Sequence, residues 1–313
     1  MYTECRLVRR HKGPIAERHS SVNEPMKQTA TPQPPYAQII AAVEDLPGLE
    51  SLSEWLVKAL VPVTKRKGLM DLLHGRLLGH SLHPPLTDLP LGMWGSVPVL
   101  DLIGDRRGAT ALTAAGCLAA GAAAATGAAD WTVTYGRDRR LALVHGLANS
   151  AALGLQLGSL SARLRGRTAR GRFLSVAGLT VGAAAAYLGG DLILDRAMTV
   201  NHTTFLSGPG EWTDVAGDSD VTEGTLTAVD VDERKVLLTR VAGKVCALEN
   251  TCTHAGGPLN EGTVEDGEVV CPWHGSRFRL NDGAVLGGPA TFPQPKLQTR
   301  KIRGRIQVRG REG

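Results

Sequence analysis

Three stretches of this chain are too long and too free of charge to sit easily outside a membrane. Residues 109–129, "ATALTAAGCLAAGAAAATGAA", carry no charged side chain over 21 positions. Residues 141–162 are uncharged apart from His145, and residues 173–190, "FLSVAGLTVGAAAAYLGG", add 18 more. The hydrocarbon core of a bilayer takes about 20 helical residues, so each run predicts a spanning helix. Residues 84–104 are a less apolar candidate, interrupted by Asp88, Asp101 and prolines. Four transmembrane helices are therefore expected over residues 83–196, and their Ala and Gly content suits close helix–helix approach.

An internal repeat lies within this region. "GAAAATGAAD" at 121–130 matches "GAAAAYLGGD" at 182–191, an offset of 61. His83 and His145 are offset by 62, and each is followed nine residues later by a glycine, Gly92 and Gly154. A repeated helix pair keeps its membrane orientation, which relates the halves by a two-fold axis along the membrane normal. His83, Asp130, His145 and Asp191 should then gather near one membrane face. They could form a polar cluster at the water boundary, or the two histidines could hold a haem. An even helix count puts both chain ends on one face. No signal-peptide pattern opens the sequence, so that face is expected to be cytoplasmic. Basic residues near the helix ends number eight on one face and seven on the other, which gives no orientation.

The flanks differ in character. Residues 1–38 are polar and rich in Pro, Ser, Thr and charge, a composition that predicts disorder. Residues 39–82 contain "IIAAVEDL", "LSEWLVKAL" and "GLMDLLHGRLLGH", amphipathic helices that either pack together or lie on a membrane surface. Residues 197–211 read as a linker. Beyond it, short alternating segments such as "KVLLTRV", "KVCALEN" and "RIQVR" predict an antiparallel β domain over 212–311. The basic residues form no stripe interleaved with aromatics, which make up only 4% of the chain, so nucleic acid is not an expected partner. Five cysteines in no disulfide pattern favour a reducing compartment. Cys117 and Cys246 read as packed small residues, with Cys5 in the polar tail.

The β region holds two Cys/His pairs. "NTCTHAGGPL" supplies Cys252 and His254, and "CPWHGS" supplies Cys271 and His274, with sixteen residues between the pairs. Two thiolates and two imidazoles suit a structural zinc or a [2Fe-2S] cluster with mixed ligands. Zinc fingers usually pair their histidines on one helix, whereas here each loop offers one cysteine and one histidine. Gly256, Gly257 and Gly275 permit close backbone approach.

On "CTHAGGPL", "CPWHGSRF" and the proline loop "GGPATFPQPKL", residues from about Trp212 to Arg311 resemble a Rieske ferredoxin domain. The resemblance implies that Cys252 and Cys271 bind one iron and His254 and His274 the other, with Gly257, Trp273, Ser276 and Phe278 around them. Respiratory Rieske proteins carry a disulfide at the positions of Gly257 and Trp273, and a tyrosine at that of Phe278. Their absence here implies the oxygenase-ferredoxin branch and a potential near the low end of the Rieske range. Arg279 departs from the acidic residue frequent in that branch. "GHSLHPPLTDLPLG" also resembles the opening of an uncharacterised four-helix bacterial membrane domain that occurs beside Rieske domains.

The expected architecture is thus multi-domain: an α-helical four-transmembrane bundle followed by a small all-β Rieske domain facing the cytoplasm. The expected function is a membrane-anchored carrier of single electrons, serving a reductase or an oxygenase. Two alternatives stand beside it. One is a membrane oxidoreductase linking the cluster to a quinone or haem in the bundle. The other is a zinc-stabilised, non-redox module. No oxygenase pattern of the D-x2-H-x4-H type is present, and lipid is the remaining expected partner.

Overall fold

The structure, a computed structural model, describes residues 35–206 and 208–310. The chain divides into two compact units, Met1–Ile39 and Ile40–Gly313. Most of the tail read as disordered, and Cys5 with it, lies outside the described residues. Residues 35–38 correct that reading, because helix α1 (Pro35–Glu44) already begins there. Proline is tolerated in the opening turn, where N–H groups have no helical partner anyway.

Two further short helices follow, α2 (Leu49–Thr64) and α3 (Lys67–Leu73), then a 3-10 turn at Arg76–Leu78. Ile40, Leu49, Leu56, Val57 and Leu60 pack with Trp131, Leu141, Leu143 and Leu192. Trp55, Leu77 and Leu78 remain exposed, so these segments are apolar on more than the face they bury.

Four long helices come next: α4 (His83–Leu102), α5 (Arg106–Thr132), α6 (Gly136–Leu164) and α7 (Thr168–Leu194). Among the described residues, three helices are long and apolar enough to cross a membrane: α5, α6 and α7. The fourth, α4, contains Asp88, Asp101 and internal Pro90 and Pro98.

The repeat reappears in three dimensions with a uniform offset of 62. Helices α5 and α7 have 27 residues each and begin at Arg106 and Thr168. The Trp94 indole donates to the Thr113 carbonyl at 3.4 Å, and the Gln156 amide, at the equivalent position, donates to the Ser175 carbonyl at 3.0 Å. Asp101 and Arg163 are counterparts under the same offset, and they bond each other at 2.8 and 2.6 Å. A residue that touches its own counterpart must lie beside the symmetry axis. His83 and His145, with ring centres 6.3 Å apart, mark the axis a second time. The two pairs are eighteen residues apart along α4, about 27 Å at 1.5 Å per residue. That is close to the roughly 30 Å of a bilayer's hydrocarbon core.

The β region consists of three antiparallel sheets. β1 (Thr213–Gly217) pairs with β10 (Arg305–Arg309), which pairs with β9 (Gln298–Ile302). β2 (Thr227–Val231), β3 (Arg234–Val241) and β4 (Lys244–Glu249) form a meander. β5 (Thr263–Glu265), β6 (Glu268–Val270), β7 (Arg277–Arg279) and β8 (Val285–Gly287) form the third sheet. Alternation along β3 and β4 serves two cores. Val236, Leu238 and Ala247 face one. Leu237, Cys246 and Leu248 face the other, which also contains Cys252, Cys271 and Phe278.

The Asp101–Arg163 pair is buried and joins the two halves of the repeat. Removing one partner leaves a buried charge uncompensated, so Asp101→Ala should lower stability by about 3–5 kcal/mol. Thermal unfolding of the purified chain measures this. The exchanged pair, Asp101→Arg with Arg163→Asp, should recover part of the loss.

Candidate metal centre

The two motif loops have one construction. Cys252 follows β4 and Cys271 follows β6. The Cys252 N–H donates to the Gly257 carbonyl at 2.8 Å, and the Gly256 N–H donates back to the Cys252 carbonyl at 2.9 Å. In the second loop the Cys271 N–H donates to the Ser276 carbonyl at 2.8 Å, and the Gly275 N–H to the Cys271 carbonyl at 3.0 Å. Each loop turns at a glycine in the left-handed region, Gly256 at φ 77° and Gly275 at φ 72°, where a side chain would strain the backbone.

This closure aims N–H groups at sulfur. Those of His254 and Ala255 reach Cys252, and those of Trp273 and His274 reach Cys271. The Cys252 thiol also donates to Cys271, which holds Cys271 down to about 6 and lifts Cys252 above the ordinary thiol range. The imidazoles meet on the other side, with His254 Nδ1 and His274 Nδ1 3.2 Å apart. Burial pushes His254 down to about 3, reinforced by His274 nearby, and burial also lowers His274. Both rings are therefore neutral at pH 7, the form that ligates metal.

The neighbours named from the sequence divide by role. A Cβ at Gly257 would stand 3.0 Å from the Trp273 ring and 3.1 Å from Cys271 Sγ, so only glycine leaves that space open. Trp273 is exposed, while Phe278 is fully buried in the core beneath the two cysteines. Ser276 Oγ accepts from the Ala290 N–H at 3.0 Å, which leaves its own hydrogen for another acceptor.

A third loop, following β8, fastens the first. Gln294 Nε2 donates to the carbonyls of Glu249 and Thr251, both at 2.6 Å, and its Oε1 accepts from the Thr253 N–H at 3.2 Å. The Thr253 hydroxyl donates to the Phe292 carbonyl at 3.0 Å. Gln294 and Thr253 were not among the residues expected at the site. The only sequence signal for Gln294 is its place between the prolines of the third loop.

The histidines face a cavity of about 510 Å³, bounded by His254, His274, Trp273 and Phe292 on one side. The other walls come from the helical half: Tyr135, His74, Ser81 and Asp130, with Met198 and His202 from the connecting segment. Tyr135 stacks on His274 with ring centres 5.2 Å apart. Asp130 accepts from His74 and Ser81, at 2.9 and 3.0 Å. Of the four residues of the helical bundle expected to gather, the structure brings His83 and His145 together. Asp130 turns to His74 and Ser81, and Asp191 pairs with Arg196 at 3.0 Å. No local motif marks His74 or Tyr135, because they meet the site only through the tertiary fold.

Two thiols and two imidazoles, shared evenly between two facing loops with N–H groups already on the sulfurs, fit the ligand demand of a Rieske [2Fe-2S] centre. The same donors would also suit a tetrahedral zinc. Comparison with known proteins separates the two. The sequence profile of the Rieske [2Fe-2S] domain matches residues 211–299. The ferredoxin component of the naphthalene 1,2-dioxygenase system of Pseudomonas putida is 33% identical over 81 residues, 26% of this chain and 78% of that protein. Ferredoxin CarAc of Metapseudomonas resinovorans is 32% identical over 100 residues, 32% of this chain and 94% of that protein. The chain belongs to the Rieske [2Fe-2S] domain family. Among solved structures, the ferredoxin of carbazole 1,9a-dioxygenase from Nocardioides aromaticivorans IC177 is 29% identical. It covers 33% of this chain and is itself covered in full, with a TM-score of 0.31. The cofactor of the Rieske domain is a [2Fe-2S] cluster, and the zinc alternative is set aside.

Gln294 is buried, and three backbone groups of the first ligand loop and its approach depend on it. Gln294→Ala leaves them without partners, at about 1–3 kcal/mol for each buried group left unsatisfied. The variant should lose iron to a chelator faster than wild type and unfold at lower temperature, while its helical circular dichroism stays unchanged.

Proposed function

We propose that this chain is a membrane-anchored Rieske electron carrier, exchanging single electrons between a cytoplasmic reductase and an oxygenase or another membrane redox partner. The observation that carries the reading is the polarity of the centre. Cys252 and Cys271 lie in the core beneath it, whereas His254 and His274 line an open cavity. Cys252, Cys271, His254 and His274 are the ligands in this reading. When bound, the cluster supplies one-electron oxidation and reduction and no bond chemistry of its own. The buried cysteines and the N–H groups on them hold negative charge at the closed side. The histidine side is where a partner approaches. Relatives that are ferredoxin components of dioxygenase systems support a partner of that class.

Membrane attachment rests on α5, α6 and α7, with α4 as the fourth span because it is the repeat counterpart of α6. Trp55, Leu77 and Leu78 suit a membrane surface beside the bundle. The membrane domain then covers residues 83–196, the linker 197–211 and the Rieske domain 212–311, and four spans return the Rieske domain to the face where the chain enters. A second reading, an oxidoreductase whose electron partner is a quinone, is favoured by one observation. The cavity is of small-molecule size and joins the histidine side of the centre to the buried His74–Asp130 pair.

His254→Ala or His274→Ala should abolish the Rieske-type EPR signal of the reduced protein, since each removes an iron ligand. An unchanged signal in either would sink the assignment. Phe278→Tyr adds a hydroxyl in the core that holds both cysteines and should raise the midpoint potential. A potentiometric titration reading no shift, or a downward one, would count against sulfur contact at this position.

A further inference from the structure

His83 and His145 form a second site, independent of the Rieske centre. They are repeat counterparts on the symmetry axis, with ring centres 6.3 Å apart and planes at 88°. His83 Nδ1 bonds the Ala123 carbonyl at 2.9 Å, and His145 Nδ1 bonds the Ala185 carbonyl at 2.8 Å. A carbonyl can only accept, so each Nδ1 carries the proton and each Nε2 keeps its lone pair. A backbone carbonyl on the far nitrogen is how proteins orient and tune a metal-ligating imidazole. The helices are cut away to admit these rings. A Cβ at Gly127 would come within 2.6 Å of His83, and one at Gly189 within 2.8 Å of His145. Four other polar contacts surround the pair. The Thr126 hydroxyl lies 3.5 Å from His83 Nδ1. The Asn149 amide nitrogen lies 3.4 Å from His145 Nδ1 and 3.2 Å from Nε2. Asn149 also donates to the His145 backbone carbonyl at 3.0 Å. A nitrogen so nearly equidistant from both ring nitrogens sits over the ring face, outside the plane of the Nε2 lone pair.

The ring-centre spacing is compatible with one metal between the two imidazoles. A metal–imidazole bond of about 2.0–2.1 Å, plus roughly 1.1 Å from nitrogen to ring centre, puts two imidazoles about 6.3 Å apart when they are in line across a metal, and about 5 Å apart when tetrahedral. The observed separation is the in-line value. Among the described residues no third histidine, cysteine or carboxylate joins the pair, so a metal here must bring its own remaining ligands. We propose that His83 and His145 are the axial ligands of a haem held on the pseudo-two-fold axis of the bundle. The apolar, Ala- and Gly-rich helices around the axis suit a porphyrin. The site lies under the cavity at the Rieske centre. Asp130 in the cavity wall is three residues beyond Gly127, about 4.5 Å along α5.

The test uses the full-length chain in detergent, isolated from cells supplied with iron and a haem precursor, and then titrated with hemin. One haem per chain by pyridine haemochromogen assay, with a low-spin six-coordinate spectrum, is expected. His83→Ala and His145→Ala should each lose the low-spin spectrum while keeping the Rieske EPR signal, which reports folding independently. His145→Met guards against a variant that fails to fold, because it should retain haem with a shifted Soret band and a higher haem potential. Three results would each overturn the proposal. One is wild-type protein with an intact Rieske signal that carries no haem and gives no Soret shift with hemin. Another is a stoichiometric metal without porphyrin. The third is haem binding that neither alanine variant alters.

Discussion

Each ligand loop of the Rieske domain closes on itself through a hydrogen bond from the cysteine N–H to the carbonyl five residues on, with a left-handed glycine between. That closure decides where everything else at the centre can be. It turns the next N–H groups onto the sulfur, so each sulfur has backbone donors in place before any metal arrives. It throws the histidines to the opposite side, where the two Nδ1 atoms converge. The loops carry their histidines at different spacings, C-x-H in one and C-x2-H in the other, yet the closure is the same in both. The glycines and the facing β strands therefore set the geometry, and the histidine spacing adapts to it.

The helical half depends on a different constraint, the repeat. Two counterpart pairs mark its axis, the Asp101–Arg163 ion pair at one end and the two histidines at the other. Counterpart positions that carried like charges would repel across the axis, and this chain avoids that by placing acid against base at 101 and 163. The connecting segment and the start of α6 then bring the axis end with the histidines against the Rieske domain. Tyr135 covers His274, and the Asp71 carboxylate accepts from the Gly288 N–H at 3.1 Å. The histidine side of the centre thus opens on a cavity shared with the helices.

How much of this was legible in the sequence depended on the range of the interactions. The cluster residues could be read because Cys252, His254, Cys271 and His274 sit in short loops whose spacing is itself the signal. The repeat could be read from alanine runs, but the runs suggested an offset of 61, and only the paired side chains give 62 throughout. The repeat and the helix order marked Asp130 and Asp191 as companions of the histidines. The structure gives them other partners, since His74, Ser81 and Arg196 arrive from segments with no matching motif. Gln294 was missed for a similar reason. Its amide is spent on backbone groups more than forty positions away in the chain, and a buried glutamine leaves no periodic trace.

The central claim is a [2Fe-2S] cluster held by two cysteines and two histidines. It is tested most directly by pulsed EPR on the dithionite-reduced full-length protein, with iron and acid-labile sulfide measured on the same sample. The account predicts two irons and two sulfides per chain, and nitrogen couplings from two distinct imidazoles on the reduced centre. A protein that contains zinc in place of iron, or a reduced cluster with no imidazole nitrogen coupling, would contradict it.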